Sequence, residues 1–281
     1  MSLALPRDGR LDRGVAEALR ADGRRVSVRE VRAAIQSGRI RVVGAGTRPG
    51  DRGRRGQPIR LEGFVPRAEA RIRPSSEAAQ AAQVVEEGPD WLALDKPPGL
   101  PTLPLTPYED RSLLHVACAL RPEVAEVGPP LEGGCVHRLD NEASGLVLFA
   151  KTAAARSRFR AAFAGHQVEK VYEAKVLPPS APIRVWVARN IQSHGRSRSR
   201  LGPEIEPGVG PCSEVDIDEG GRAVVRTRWG RRHQVRLHLL ALGHPIEGDT
   251  LYGGPPGPRL ALHGSRLAGE GWALCCPADF F

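Results

Sequence analysis

Apolar residues at Leu11, Val15, Ala18 and Leu19 recur at helical spacing and predict a first amphipathic helix. A second opens at Ser27-Val28-Arg29-Glu30, where the serine and glutamate side chains can each satisfy the other's backbone donor. Its apolar face is Val28, Val31 and Ile35, and Gly38 supplies the C-terminal stop. The period then changes to two. RIRVVG after Gly38 and PIRLEG after a Gly/Arg/Pro turn region (50–56) each read as a short strand. Two helices and a β-ribbon define a compact unit over residues 1–64. Residues 65–82, with Pro66, Pro74, Ser75, Ser76 and an Ala/Gln run, read as a linker or a short polar helix.

From residue 83 to 281 the pattern is one of strands separated by fewer helices. DWLALDK (90–96) is a strand ending at Pro97-Pro98-Gly99, and residues 112–120 have helical periodicity. SGLVLFAK (144–151) is a continuous apolar run, the signature of a buried strand. Thr152 caps a helix with Ala155, Phe159, Ala162 and Phe163 on one face and Gly165 at its end. QVEKVYEAKVL (167–177) alternates, with Val168, Lys170, Tyr172 and Ala174 on one face. GRAVVRTRW (221–229) is another strand, and HQVRLHLLALG (233–243) a helix with Val235, Leu239 and Leu242 inward. No regular βαβ alternation is visible. The expected class is α+β, with a mixed, mainly antiparallel sheet and flanking helices, preceded by the small α+β unit.

A chain of 281 residues fits two domains. No apolar run approaches the ~20 residues that cross a bilayer. MSLALPRDGR is too short and too charged for a secretory signal, so a cytoplasmic location is expected. Charge is lopsided. Residues 1–64 carry 15 arginines, no lysine and 7 acidic residues, a net of +8; the other 217 residues carry 26 basic and 25 acidic groups, a net of +1. A coding bias explains arginine over lysine but not this distribution, and a polyanion, most commonly nucleic acid, is the implied partner. Five cysteines without CxxC spacing read as free thiols.

Two stretches carry candidate chemistry. Residues 134–145 (GCVHRLDNEASG) put Asp140 in a polar loop just before the buried strand; read alone, HRLD is equally an ion pair or a turn. Residues 230–238 (GRRHQVRLH) open a basic helix, for which a solvated face is the simple reading. His233 and His238, five residues apart, point about 140° from one another on a helix and do not share an ion, so no metal site is expected.

Taken together, these segments resemble the RluA-type family of pseudouridine synthases. The family's HRLD element appears as HRLDNEASGLVLFAK, its K-x-Y strand as Lys170-Val171-Tyr172, and its GR-x-HQ helix as GRRHQVRLH followed by LLALGHPIEGDTLYG. DKPPGL (95–100) and RLALH (259–263) also fit in order, over residues 83–267. Residues 8–64 resemble the S4-like RNA-binding domain. That likeness implies that Arg29 and Arg32 on one helix, with Arg39 and Arg41 on the following strand, face RNA.

The resemblance implies isomerisation of uridine to pseudouridine in structured RNA, without cofactor or metal. Ribosomal RNA is favoured over tRNA, and a monomer is expected. Asp140 matches the catalytic aspartate, which either traps C1′ or assists glycal formation. The cation at Arg236 keeps that carboxylate ionised in a dry pocket. Tyr172 matches the tyrosine that stacks on uracil and assists removal of the C5 proton. An everted uridine leaves a gap that Arg138 fills, unless Arg138 braces the loop instead. His137 and Ser144 shape the loop, Lys170 binds phosphate or orients Tyr172, and His137, Arg231, His233 and Gln234 join the substrate-binding set. Ala143 stands where the family often has Thr; Trp229 and Arg232 replace threonines. Residues 193–201 (SHGRSRSRL) read as a basic loop, ordered against RNA or disordered. The alternative is a non-catalytic RNA-binding or ribosome-assembly factor on a synthase scaffold. A His–Asp hydrolase lacks a nucleophile elbow.

Overall fold

The computed structural model describes residues 3–72, 74, 80–195 and 197–280. The chain divides into two compact units. One comprises residues 1–72 with the short segments 105–109 and 129–131; the other comprises residues 73–104, 110–128 and 132–281.

In the first unit, β1 (Gly9–Arg10) leads into α1 (Leu11–Ala21), followed by α2 (Val28–Gln36), β2 (Ile40–Val42), β3 (Arg52–Gly53) and β4 (Ile59–Leu61). The Ser27 amide donates to Glu30 Oε2 at 2.8 Å and the Glu30 amide to Ser27 Oγ at 3.2 Å, which is the reciprocal cap expected. Strands β2 and β4 pair antiparallel with Val42 opposite Ile59. Leu11, Val15, Leu19, Val31, Ile35, Ile40 and Ile59 form the core. Each such side chain contributes roughly 1.5–3 kcal/mol when fully buried.

Beneath α1, the Asp12 carboxylate is fully buried and takes hydrogen bonds from Arg10 (3.0 Å) and Arg32 (2.8 Å). Arg32 therefore braces the helix pair, and its side chain is still half exposed on the surface expected to face RNA. Arg29 and Arg41 are exposed, and Arg39 stacks on the Tyr108 ring at 3.6 Å. The expected linker contributes residues 65–72 to this unit, with the Arg67 amide donating to Glu30 Oε1 at 3.0 Å. Its residues 73 and 75–79 lie outside the described residues.

The second unit holds β5 (Gln83–Glu87), β6 (Trp91–Lys96), α3 (Leu113–Leu120), β7 (Ser144–Ala150), α4 (Ala153–Ala164) and β8 (Glu169–Lys175). It continues through β9 (Ile183–His194), β10 (Arg198–Glu204), β11 (Cys212–Ile217), β12 (Arg222–Thr227), α5 (Gln234–Ala241), β13 (Leu262–Gly269) and β14 (Trp272–Cys275). Among the described residues these strands form one sheet in the order β10-β9-β11-β12-β8-β13-β7-β6-β5, with β14 also on β13. Every pairing is antiparallel except that of β13 with β7. Strand β7 is buried at every position, which accounts for its unbroken apolar run.

Where β7 meets β13, a Cβ on Gly145 would stand 2.4 Å from the Gly264 backbone, and Gly145 has φ +118°. Only glycine lets the two strands close here, directly behind the Asp140 loop. Helix α5 lies on the β8–β12 side through Val235 and Leu239, in the cluster with Val215 and Val225. Of residues 193–201, 193–194 and 198–201 are strand rather than loop, Arg198 pairing with His194 and Leu201 with Ile191; residue 196 lies outside the described residues. Their alternation is masked in the sequence because Ser193 and Ser199, rather than apolar residues, occupy the less exposed face. No helix among the described residues is long and apolar enough to cross a membrane.

Candidate active site

The loop before β7 is pinned from beneath. Lys96, at the end of β6, is fully buried and donates from Nζ to the carbonyls of Pro97 (3.0 Å), Leu100 (2.8 Å) and Asn141 (2.9 Å). The Gly99 amide also donates to the Asn141 carbonyl at 2.9 Å, and Thr102 Oγ1 to that of Leu139 at 3.2 Å. Asp140 thus sits between two fixed backbone points. Burial pulls the Lys96 ammonium down to about 8, against the pull of Asp140, Glu142 and Asp95.

The N-terminus of α5 brings the opposite wall. Arg236 is 3% exposed, and its Nε and Nη2 form a two-pronged hydrogen bond with Asp249 at 2.8 and 2.7 Å. Asp249 is held in turn by the amides of Leu251 and Tyr252, both at 3.1 Å. The turn carrying it needs Gly248, where φ is +76° and a Cβ would strike the Arg259 carbonyl at 1.8 Å. The remaining nitrogen, Nη1, is buried without a hydrogen bond and stands 3.7 Å from Asp140 Oδ2 and 3.6 Å from Glu142 Oε2. The expected Arg236–Asp140 pairing is therefore an ion contact, while the main anchor is Asp249, which sequence reasoning missed. Burial opposes the Arg236 charge, but the Asp249 hydrogen bonds, with Asp140 and Glu142 behind, more than offset it and raise its pKa.

His233 caps α5 from the left-handed region, at φ +60°. Tyr252 Oη accepts from the Ser199 amide and donates to its carbonyl, each at 3.0 Å. The His233 Nδ1–H therefore donates to Oη at 2.7 Å, and Nε2 faces Asp140 Oδ1 at 4.0 Å. Burial pulls this imidazole below its ordinary value, against the charge of Asp140. His238, by contrast, turns to Ser213 Oγ at 2.9 Å, so the two histidines face different partners.

Tyr172 lines the same cavity as Arg138, Asp140, Ala143, Arg231 and His233. Burial, and then the negative charge of Asp140, push its phenol well up, so it stays protonated. A neutral phenol suits stacking on a base. Two other expected contacts are absorbed by the scaffold. Gln234 donates to the Cys212 carbonyl, Ser213 Oγ and Thr227 Oγ1 and accepts from the Arg231 amide at 3.2 Å. His137 Nε2 accepts from the Leu148 amide at 3.1 Å, and its ring stacks on Phe163 at 4.5 Å. Burial drives its pKa down to about 3, so it is a neutral loop brace.

Among the described residues, one trio gathers metal-type donors, Asp95, His263 and Cys276, within 4.8 Å. Both ring nitrogens of His263 are already bonded, to Ser144 Oγ and the Cys276 carbonyl, each at 2.9 Å. The trio therefore offers no free imidazole ligand. The five cysteines are unpaired.

Asp140 and Tyr172 thus line one cavity, with the clamped Arg236 guanidinium 3.7 Å from Asp140. Residues 90–241 match the family model for RNA pseudouridylate synthase. Over 228 residues the chain is 32% identical to ribosomal large subunit pseudouridine synthase D of Pseudomonas aeruginosa, covering 78% of this chain and 67% of that one. It is 33% identical over 160 residues to the dual-specificity RNA pseudouridine synthase RluA of Escherichia coli, covering 52% and 73%. The matched part of the Yersinia pestis synthase D is 57% of that protein. Human RNA pseudouridylate synthase domain containing 1 shares the fold, with a TM-score of 0.56 at 22% identity, over 75% of this chain and 88% of that one. The chain belongs to the RNA pseudouridylate synthase family of isomerases, within its RluA and RluD kind.

Proposed function

We propose that the chain converts specific uridines of structured RNA to pseudouridine with Asp140 as the catalytic carboxylate and no cofactor. The observation that carries this reading is the placement of Asp140 in one cavity with Tyr172, 3.7 Å from a guanidinium whose other side is clamped by Asp249. An everted uridine enters with C1′ toward Asp140 and its ring against Tyr172. The C1′–N1 bond breaks, the ring turns, and C1′–C5 forms; N1 gains a proton and C5 loses one. No electrons are gained or lost overall, so the chemistry calls for electrostatic stabilisation rather than a redox group. Arg236 Nη1 balances the carboxylate, and the Asp249 clamp stops it from collapsing onto Asp140. Trapping at C1′ and glycal formation use the same groups.

Arg138, which lines the cavity, fills the gap left by the flipped base. Residues 1–64 act as an S4-like module, with Arg29, Arg32 and Arg41 on RNA and Arg39 beside them. Ribosomal RNA is the favoured substrate over tRNA, in line with the name of the synthase D relatives. The enzyme works as a monomer in the cytoplasm, where unpaired thiols persist. The test is incubation with total RNA from cells lacking the gene, followed by position-by-position detection of pseudouridine. New pseudouridine at a few sites supports the reading, and none at any site overturns it.

A further inference from the structure

Beside Tyr172 opens a second cavity of about 420 Å³, within the range of small-ligand pockets. It shares Arg138, Tyr172, Trp229, Gly230 and Arg231 with the Asp140 cleft, so the two adjoin. Their chemistry differs. The cleft contains Asp140, whereas no residue lining the second cavity is acidic; Arg138, Arg160, Lys170 and Arg231 all face it.

Lys170 is the unusual member. It is 6% exposed and has no hydrogen bond or ion pair among the described residues; its Nζ lies 5.8 Å from the centre of the Phe163 ring. A buried cation without an anion is costly. The room around it is kept by Gly230, where a Cβ would stand 3.2 Å from Nζ. Burial pulls the ammonium down to about 8, a cost that an incoming anion relieves.

The other wall is aromatic. His166 and Trp229 are in ring contact at 3.8 Å. His166 ends α4 in the left-handed cap position, at φ +56°, with its amide donating to the Phe163 carbonyl at 3.3 Å and the Gln167 amide to that of Ala162 at 2.9 Å.

We propose that this cavity is a second nucleotide subsite, which holds the phosphate of a nucleotide adjacent to the target uridine on Lys170, Arg160 and Arg231 and its base on the His166–Trp229 pair. A cationic floor with an aromatic wall is the combination that grips a single-stranded nucleotide. The subsite rests on the reading that the uridine occupies the Asp140 cleft.

The test uses the full chain and an oligonucleotide bearing a uridine already mapped as a product site in total RNA. Each flanking phosphate in turn is replaced by a neutral methylphosphonate, and each neighbouring nucleotide by an abasic one. For the wild type, one neutral phosphate raises KM about 10- to 100-fold, the range of a charge-assisted hydrogen bond, with kcat changed less than about two-fold. Lys170→Met raises KM alike on the native oligonucleotide and shows no further loss at that phosphate. Trp229→Ala is insensitive to the matching abasic site. Melting temperatures of both variants monitor folding. Independent, multiplying losses of Lys170→Met and the neutral phosphate, or no sensitive phosphate in the wild type, overturn the subsite while leaving pseudouridine formation intact. Absence of pseudouridine with the wild type overturns the functional reading itself.

Discussion

Asp249→Asn is the most informative perturbation of the scaffold. The substitution keeps an Oδ1 acceptor for the Leu251 and Tyr252 amides, so the turn survives, but it removes the charge that holds Arg236 Nε and Nη2. Arg236 and Asp249 are 3% and 1% exposed, so water does not replace the lost partner. Breaking a buried pair costs about 3–5 kcal/mol. Asp140 and Glu142, at 3.7 and 3.6 Å from Nη1, recover part of this and place the cost at the lower end. At about 2–4 °C per kcal/mol for a domain of this size, Tm falls by about 6–12 °C. The freed guanidinium turns toward Asp140, and a displacement of about 1 Å lowers the single-turnover rate about 100-fold. Thermal unfolding and single-turnover pseudouridine formation read the two effects. A variant within about 2 °C of the wild type and within about two-fold of its rate refutes the clamp. Lost stability with an unchanged rate confines Asp249 to a structural part.

Lys96→Met strips the Pro97, Leu100 and Asn141 carbonyls of their shared donor. A loosened Asp140 loop is expected, with kcat down about 100-fold and KM little changed; an unchanged kcat contradicts the pinning. Arg29→Ser with Arg41→Ser lowers RNA affinity and reduces the log–log salt slope by about 1–2, and an unaltered slope removes these arginines from the RNA face. The first unit draws acid-sensitive stability from Asp12, whose pKa is lowered from 3.8 to about 2 by the Arg10 hydrogen bonds against burial, with help from Arg32. With the folded value below the unfolded one, this contribution is complete above about pH 4 and is lost as pH falls toward 2. Asp12→Asn therefore flattens stability in that window, measured by acid titration of circular dichroism; an unchanged titration contradicts the assignment.

Much of this arrangement was legible from local pattern. The Ser27–Glu30 cap, the buried run of β7, the alternation of β8 and the stop of α5 at Gly243 each depend on near neighbours, and each forms where expected. That Asp140 shares a cavity with Tyr172 and an ion contact with Arg236 was legible through motif order rather than geometry. What stayed hidden is tertiary. Asp249 lies 13 residues beyond Arg236, in a turn whose only local signal is glycine. Lys96 reaches across 45 residues to Asn141. Gln234 has a polar side chain in a basic, substrate-like context, yet its bonds go to β11 and β12. The far ends of β9 and β10 put Ser193 and Ser199 on the less exposed face, so no apolar residue at every second position marks them.

The central claim is that one carboxylate performs the isomerisation. Asp140→Asn keeps the size and loses the charge, at a side chain 21% exposed on a loop held by Lys96 and Thr102. Pseudouridine mapped in RNA from cells lacking the gene, after incubation with this variant, should be absent at every site the wild type modifies, while RNA affinity stays within about two-fold. Pseudouridine formed by the Asn variant at rates near the wild type contradicts the account.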